Sequence, residues 1–130
     1  MTAGEIMTSP VLATTSRASV RDIAAKLLAN EISGMPVADL AGKVLGVITE
    51  GDILAVLTEG KTLEAFTAED IMSKDPITVD VGATMAEVMK LLNEEGILRV
   101  PVTDQGKLVG IISREDIIRA VLEGEFLSFE

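Results

Sequence analysis

The 130-residue sequence contains neither cysteine nor histidine, and aromatic residues make up only 2% of it. Without cysteine, the chain can form neither disulfides nor thiolate metal sites. Without histidine, it lacks the commonest general base and the commonest transition-metal ligand. The apolar fraction is nevertheless 48%, which is enough for a packed core. We therefore expect a core of aliphatic side chains, and catalysis is the least favoured of the functions that the sequence allows.

Positive charge is also scarce, since 11 basic residues stand against 21 acidic ones and give a net charge of −10. Nucleic acids and anionic membranes require clustered Lys and Arg, so neither is an expected partner. No apolar stretch approaches the ~20 residues that span a bilayer. The opening MTAGEIMTSP lacks the basic start and apolar run of a signal peptide. These features predict a cytoplasmic protein.

The sequence repeats itself at an interval of about half its length. Three pairs of segments carry the repeat: TAGEIM (2–7) with TAEDIM (67–72), PVAD (36–39) with PVTD (101–104), and GKVLGVITEGDI (42–53) with GKLVGIISREDI (106–117). Ordered agreement over about 55 residues per copy indicates a duplication. We predict a first repeat over residues 1–58, a linker over 59–66 and a second repeat over 67–130.

Each copy shows the same order of elements: a short helical lead-in, then strand, helix, strand, strand and helix. The first strands are expected at 12–14 and 77–79. Ser19 and Thr84 are expected to start the following helices in capping boxes with acidic residues three positions later. A unit of ~60 residues is marginal alone because it buries too little surface. We therefore predict an α+β fold in which the two repeats pack through their sheets with pseudo-twofold symmetry.

A hydroxyl and a carboxylate recur where the last strand of each copy meets a helix, in TEGD (49–52) and SRED (113–116). One interpretation is structural, because Thr or Ser can cap the helix and Asp three residues later completes a capping box. The other is functional, because a carboxylate accepts two hydrogen bonds at once and a ribose diol offers two donors. The helix N-terminus would also attract phosphate. One residue can serve both roles.

Each copy carries, in this order, IM, P, GMPV or RVPV, GK, and GVITEGD or GIISRED. This tandem pattern resembles a pair of cystathionine β-synthase (CBS) domains over nearly the whole chain. Members commonly bind AMP, ADP, ATP or S-adenosylmethionine in two clefts between the repeats, whereas others bind no known ligand. The resemblance implies that Thr49 and Asp52 hold one ribose, and that Ser113 and Asp116 hold the other. It also implies an apolar slot for each base, lined by Leu12, Ala13, Thr14, Met35, Pro36 and Val37 in copy one, and by Ile77, Thr78, Val79, Val100, Pro101 and Val102 in copy two.

Phosphate groups would need cations, and copy two carries two of them, although a basic group of one repeat can reach the cleft of the other, so that Arg99 is a candidate for either site. Arg99 matches a position that is often basic in the family, and Arg114 follows the Ser113 hydroxyl. Copy one has Gly34 and Glu50 at these positions, and a carboxylate repels phosphate. We therefore predict unequal sites, with copy two better suited to a charged nucleotide.

Two functions remain open from the sequence. The first is a non-catalytic sensor that binds an adenosine-containing ligand, AMP, ADP, ATP or S-adenosylmethionine, and passes the signal to an effector protein. The resemblance implies a homodimer formed through helix faces. The second is a structural or protein-interaction module whose ligand pockets are vestigial.

Overall fold

The computed structural model describes residues 1–128, so the last two residues of the predicted second repeat lie outside the described residues. The chain divides into two compact units. The central unit consists of residues 12–76, and the terminal unit combines residues 1–11 with the chain from residue 77 onward. Each lead-in, meaning the short helix and the residues that follow it (1–11 and 67–76), therefore belongs to the unit that holds the other elements of the opposite repeat.

The central unit is built on an antiparallel hairpin. Its elements are α2 (Val20–Ala29), β1 (Gly34–Ala38), β2 (Val44–Thr49), α3 (Glu50–Thr58), a 3-10 turn (Leu63–Ala65), α4 (Ala68–Ile71) and β3 (Ser73–Lys74). The sheet order is β1-β2-β3, with both pairs antiparallel. Every residue of β1 before Ala38 is buried, whereas β2 alternates between buried and half-buried positions. This alternation is the strand period of two that one covered face produces.

The terminal unit repeats this plan with small changes. Its elements are α1 (Ala3–Ile6), β4 (Val79–Asp80), α5 (Met85–Glu95), β5 (Arg99–Asp104), β6 (Lys107–Ser113) and α6 (Arg114–Ser128). The sheet order is β4-β5-β6, with β4 parallel to β5 and β5 antiparallel to β6. Gly96 ends α5 in the left-handed conformation (φ 62°), which glycine adopts without the strain of a side chain.

Each unit has its own aliphatic core. In the central unit, Ile23 on α2 and Ile48 on β2 are fully buried, and Ala68 of the second lead-in belongs to the same cluster. In the terminal unit, Val88 and Ile112 are fully buried, and Ala3 of the first lead-in joins them. The α+β architecture with two three-stranded sheets confirms the fold class expected from the sequence. No helix of the described chain is both long enough and apolar enough to cross a membrane.

Two glycines allow the lead-ins to lie directly against the hairpins. A Cβ on Gly110 of β6 would collide with Met7, and a Cβ on Gly46 of β2 would collide with the backbone oxygen of Ser73. The absence of a side chain at these positions lets the lead-in chain approach the strand. Gly46 and Gly110 are aligned in the sequence repeat, so both copies use the same device.

Three details of the sequence prediction were met only in part. Ser19 begins α2 by position but makes no side-chain capping bond, because the chain there pairs with Thr67 instead. Thr84 accepts a hydrogen bond from the Glu87 backbone N–H (3.1 Å), which is half of the expected box. The strand expected at 12–14 is reduced to one bridge between Thr14 and Val37.

Candidate functional site

The first candidate site is the turn between β2 and α3 in the central unit. The Thr49 backbone N–H and hydroxyl both donate to Asp52 Oδ2, at 2.9 and 3.1 Å. The Asp52 backbone N–H donates in return to the Thr49 hydroxyl oxygen at 3.3 Å. This is a complete capping box, and it fixes the carboxylate at the positive end of α3.

The second candidate site is the equivalent turn between β6 and α6 in the terminal unit. The Ser113 backbone N–H and hydroxyl donate to Asp116 Oδ2 at 2.8 and 3.1 Å. The Asp116 backbone N–H donates to the Ser113 hydroxyl oxygen at 3.4 Å. The two boxes therefore have the same donors and acceptors, with bond lengths that agree to about 0.1 Å. The capping role that the sequence allowed for both motifs is present in both.

The Asp116 carboxylate has two further partners. The Thr8 hydroxyl donates to Oδ1 at 2.9 Å, across 108 residues of sequence. The Arg119 guanidinium donates to the same oxygen at 3.0 Å. A carboxylate has about four lone-pair positions, so these two bonds and the two from Ser113 occupy all of them. The Asp116 side chain is only 7% exposed.

Asp52 lacks both of these additional partners. The positions that align with Thr8 and Arg119 are Ser73 and Ala55. Alanine has no donor, and the Asp52 side chain accepts from the backbone N–H and hydroxyl of Thr49. Asp52 is half-buried rather than buried. Within the described residues, no lead-in hydroxyl and no arginine of α3 donates to its Oδ1 atom.

The position of Thr8 is fixed by its backbone. Its N–H donates to the Ile111 carbonyl oxygen at 2.8 Å, and the Ile111 N–H donates to the Thr8 carbonyl oxygen at 3.2 Å. Met7 lies against Gly110 on the same strand. The lead-in thus forms a one-residue extension of the terminal sheet, and this extension directs the Thr8 hydroxyl to Asp116.

The residues expected to line the base slots fall into two groups. The central hairpin residues are buried core, since Met35 and Val37 in the central unit and Val100 and Val102 in the terminal unit are 0% exposed and belong to the two core clusters. The remaining slot residues are Pro36, Pro101 and Thr14, which are buried; Ala13, Ile77 and Val79, which are half-buried; and Leu12 and Thr78, which are exposed. A role for any of them in binding a base stays a prediction.

The backbone N–H and carbonyl groups of Thr14 are already hydrogen-bonded to β1. Its N–H donates to the Pro36 carbonyl oxygen at 3.0 Å, and its own carbonyl oxygen accepts from the Ala38 N–H at 2.9 Å. These groups therefore hold the first segment of the central unit against β1.

The two arginines expected near phosphate have different positions. Arg99 lies opposite Ser113 in the β5–β6 register, where the central unit has Gly34 opposite Thr49. The backbone of Arg99 is therefore next to the terminal box, and its role with phosphate stays a prediction. Arg114 is exposed, and it lines a groove of about 370 Å³ between α5 and α6. Its neighbours in this groove include Met89, Ile117 and Ile118.

Two residues that contact Asp116, Thr8 and Arg119, were not among the predicted site residues. A signal existed for each: Thr8 follows the repeated IM dipeptide, and Arg119 follows Asp116 by one helical turn where the other copy has alanine. Spacing on a helix identifies an i,i+3 pair such as Asp116 and Arg119. The contact of Thr8 with Asp116 depends on the exchange of lead-ins, which local sequence does not encode.

Other acidic residues of the described chain do not form a site of this kind. Among the residues whose side chains the structure describes, no group of three or more His, Cys, Asp or Glu could hold a metal ion. In the second lead-in, the Thr67 backbone N–H and hydroxyl donate to Asp70 and hold the pKa of that carboxyl below its usual range. Asp70 is exposed, so its role is that of a cap on α4.

Comparison with known sequences identifies relatives of the whole chain. The family model described as CBS domain matches residues 3–59 and 68–123. The chain is 30% identical over 135 residues to protein MK0525 of Methanopyrus kandleri, and the match covers 98% of this chain and 69% of that protein. In several longer curated relatives, the match covers between 14% and 41% of the relative's length.

Comparison with solved structures gives the same result. The structure is similar to that of CBSX2 of Arabidopsis thaliana in complex with AMP, with a TM-score of 0.85, 30% identity and coverage of 95% of this chain and 98% of that chain. It is also similar to the CBS domain pair of protein MJ0100 in complex with 5'-methylthioadenosine and S-adenosyl-L-methionine, with a TM-score of 0.84, 30% identity and coverage of 96% and 98%. These structures contain ligands with an adenosine group.

Proposed function

The chain belongs to the CBS-domain family and carries two such domains in tandem, and from this premise we propose that it is a non-catalytic sensor of an adenosine-containing ligand. The observation that carries the proposal is the pair of boxes at Asp52 and Asp116, each of which places a carboxylate beside a hydroxyl at a helix N-terminus. A ribose diol can donate two hydrogen bonds to such a carboxylate. The AMP and S-adenosylmethionine complexes of similar CBS pairs support the ligand class.

The residues around the two boxes favour different ligands. In the central unit, Glu50 follows Thr49 and Gly34 lies opposite, so no cation is supplied by these positions. This box suits a ligand without phosphate, and S-adenosylmethionine, with its positively charged sulfonium, fits the acidic neighbour best. In the terminal unit, Arg99 lies opposite Ser113, and a guanidinium pairs well with phosphate. This box suits AMP, ADP or ATP.

The signal would leave the protein through exposed apolar helix surfaces. Leu54 and Leu57 on α3 are 63% and 50% exposed, and Ile118 and Leu122 on α6 are 59% and 58% exposed. Exposed apolar patches of this kind mark protein interaction surfaces. We propose that they support a homodimer and the contact with an effector protein. Ligand binding would then shift the population of the form that the effector recognises.

A structural or protein-interaction role is the second candidate, and the terminal box favours it. All the acceptor positions of Asp116 are already occupied by Ser113, Thr8 and Arg119. On this alternative, the carboxylate serves only to join the lead-in to α6. The apolar grooves between α2 and α3 and between α5 and α6 would then be the functional surfaces.

A thermal-shift titration with AMP, ADP, ATP and S-adenosylmethionine separates the two candidates. A ligand at about 100 times its dissociation constant adds ~2.7 kcal/mol to the free energy of unfolding. Asp52→Ala should abolish the response to a ligand that binds the central box. The matched control is Asp22→Ala, because Asp22 is an exposed acid in the first turn of α2 and forms no capping box.

The outcome that contradicts the sensor function is equally specific. If none of the four ligands changes the melting temperature, and calorimetry detects no heat of binding, the structural role stands. If a ligand binds but Asp52→Ala and Asp116→Ala both leave its affinity unchanged, the boxes are caps and the ligand binds elsewhere.

A further inference from the structure

We infer that the Thr8 hydroxyl is a built-in competitor for the ribose position at Asp116, so that the lead-in sets the ligand concentration at which the terminal box fills. This inference rests on the proposed function of Asp116 in binding ribose. It assigns to Thr8, which lies outside the repeated TEGD/SRED motif, a role in setting the affinity for the ligand. The observation is one hydrogen bond of 2.9 Å from Thr8 Oγ1 to Asp116 Oδ1.

The hydrogen bond from Thr8 to Asp116 must be broken before a ribose diol can bind the Asp116 carboxylate. Asp116 Oδ2 is held by the backbone N–H and hydroxyl of Ser113 within the capping box, and opening this box would uncap α6. Asp116 Oδ1 accepts from Thr8 and from Arg119. The carboxylate has no further acceptor position, so an incoming hydroxyl has to replace one of these donors.

Thr8 is the donor that exchanges at least cost. A bond between a cation and a carboxylate is stronger than a bond from a neutral hydroxyl, so displacing Arg119 costs more. At this box the diol would therefore bind Asp116 through one hydroxyl, and that hydroxyl exchanges one neutral donor for another. Thr8 is also exposed, which lets its hydroxyl turn to water after it leaves Asp116.

The central unit provides an internal reference without this competitor. The second lead-in places Ser73 at the aligned position and pairs with β2 through Val47. Ser73 nevertheless makes no side-chain hydrogen bond to Asp52 among the described residues. The residue aligned with Arg119 is Ala55, which has no donor. Among the described residues, neither the Ser73 hydroxyl nor an aligned arginine therefore competes for Asp52 Oδ1. The two boxes should therefore fill at different ligand concentrations.

The test is a calorimetric titration of the full chain with AMP, using Thr8→Val, Thr8→Ser and Ser73→Ala. Valine keeps the size and branching of threonine but has no donor. We expect Thr8→Val to bind AMP at one site about tenfold more tightly, the value of one hydrogen bond of about 1.4 kcal/mol. Thr8→Ser keeps the hydroxyl and should resemble the wild type. Ser73→Ala should change nothing.

Melting temperatures show whether Thr8 acts on the ligand or only on the fold. Thr8→Val should lower the melting temperature of the ligand-free protein, because a native hydrogen bond is lost. It should at the same time enlarge the increase in melting temperature that AMP produces. If Thr8 had only a structural role, Thr8→Val would lower the melting temperature of the ligand-free protein without enlarging the increase that AMP produces. That result would overturn the inference.

The remaining outcomes are also decisive. AMP binding that appears only in Thr8→Val supports the inference, whereas unchanged affinity or no binding in both proteins overturns it. Asp52→Ala in the Thr8→Val background should leave the tighter site intact. If AMP or S-adenosylmethionine binds the wild type and Asp52→Ala abolishes this binding, the proposed function stands even where the role of Thr8 fails.

Discussion

The boxes at Asp52 and Asp116 are nearly identical in their own bonds but differ in what surrounds them. Both carboxylates accept from the backbone N–H and the hydroxyl of the residue that ends the preceding strand. Only Asp116 also accepts from a lead-in hydroxyl and from an arginine one turn along its helix. The first carboxylate is half-buried, and the second is buried and accepts four hydrogen bonds.

This difference shows that a repeated motif fixes the geometry of a site but not its availability. The availability of each carboxylate depends on two residues outside the motif. These are the residue that follows the repeated IM dipeptide and the residue three positions after the aspartate, Thr8 and Arg119 in one copy and Ser73 and Ala55 in the other. The variants below test how far the two copies differ.

The largest difference in stability between matched variants is expected at Gly46 and Gly110, the glycines against which the lead-ins pack. In Gly46→Ala, the new Cβ meets the backbone oxygen of Ser73, which cannot move without shifting the chain. In Gly110→Ala, it meets the side chain of Met7, which can adopt another rotamer. Overpacking costs about 1–3 kcal/mol, so we expect about 3 kcal/mol for Gly46→Ala and about 1 kcal/mol for Gly110→Ala. Urea unfolding followed by circular dichroism measures both, and equal losses would contradict this ranking.

Removing the two carboxylates should have the next largest effect. Asp116→Ala leaves the donors of Ser113, Thr8 and Arg119 without their acceptor, and we expect a loss of about 2 kcal/mol in the free energy of unfolding. Asp52→Ala removes one capping box only and should cost about 1 kcal/mol. Asp22→Ala, at a helix start without a box, should stay within about 0.5 kcal/mol of the wild type. A cost for Asp52→Ala as large as that for Asp116→Ala would mean that the additional bonds of Asp116 contribute nothing.

Ala55→Arg should make the central box more like the terminal one. An arginine at this position lies three residues after Asp52 on α3, and an i,i+3 ion pair adds about 0.2–0.5 kcal/mol. The guanidinium would compete for Asp52 Oδ1, so the response to a ligand that binds the central box should weaken. Ala55→Gln, which has a shorter uncharged side chain, is the control in the same thermal-shift titration. An unchanged ligand response in both variants would show that Oδ1 takes no part in binding.

The smallest effect is expected from the lead-in box of Asp70. Hydrogen bonds from Thr67 lower the pKa of this carboxyl in the folded protein, so the folded state favours the ionised form more than the unfolded state does. The resulting stability is present at neutral pH and is lost as the pH falls from the ordinary aspartate pKa through the lowered one. Asp70→Asn should therefore be slightly less stable than the wild type at pH 7, and the difference should shrink in acid. A difference that grows below pH 4 would contradict this sign.

Much of the fold could be predicted because short-range patterns determine it. The hairpins follow from β-branched runs around Gly-Lys turns, and both are present, at 34–49 and 99–113. The end of α5 at Gly96 follows a local rule as well, since glycine commonly ends a helix in the left-handed conformation. These features depend on neighbours within a few residues, where backbone preferences and hydrophobic period carry the information.

The features that could not be predicted depend on contacts between distant segments. Ser19 looks like a cap, but the backbone N–H of Val20 donates to the Phe66 carbonyl oxygen, so the linker occupies that helix start. Thr8 looks like a loop residue, but its partner lies 108 residues away. Local propensity cannot identify such partners, because tertiary contacts override it.

The exchange of lead-ins also bears on the order in which the protein can be made. All of the central unit, residues 12–76, leaves the ribosome as one continuous stretch and can fold while synthesis continues. The terminal unit needs residues 1–11 together with the chain from residue 77 onward, so its first segment must wait for its last helix to be synthesised. Closing that long loop carries a larger entropic cost than any step in the central unit.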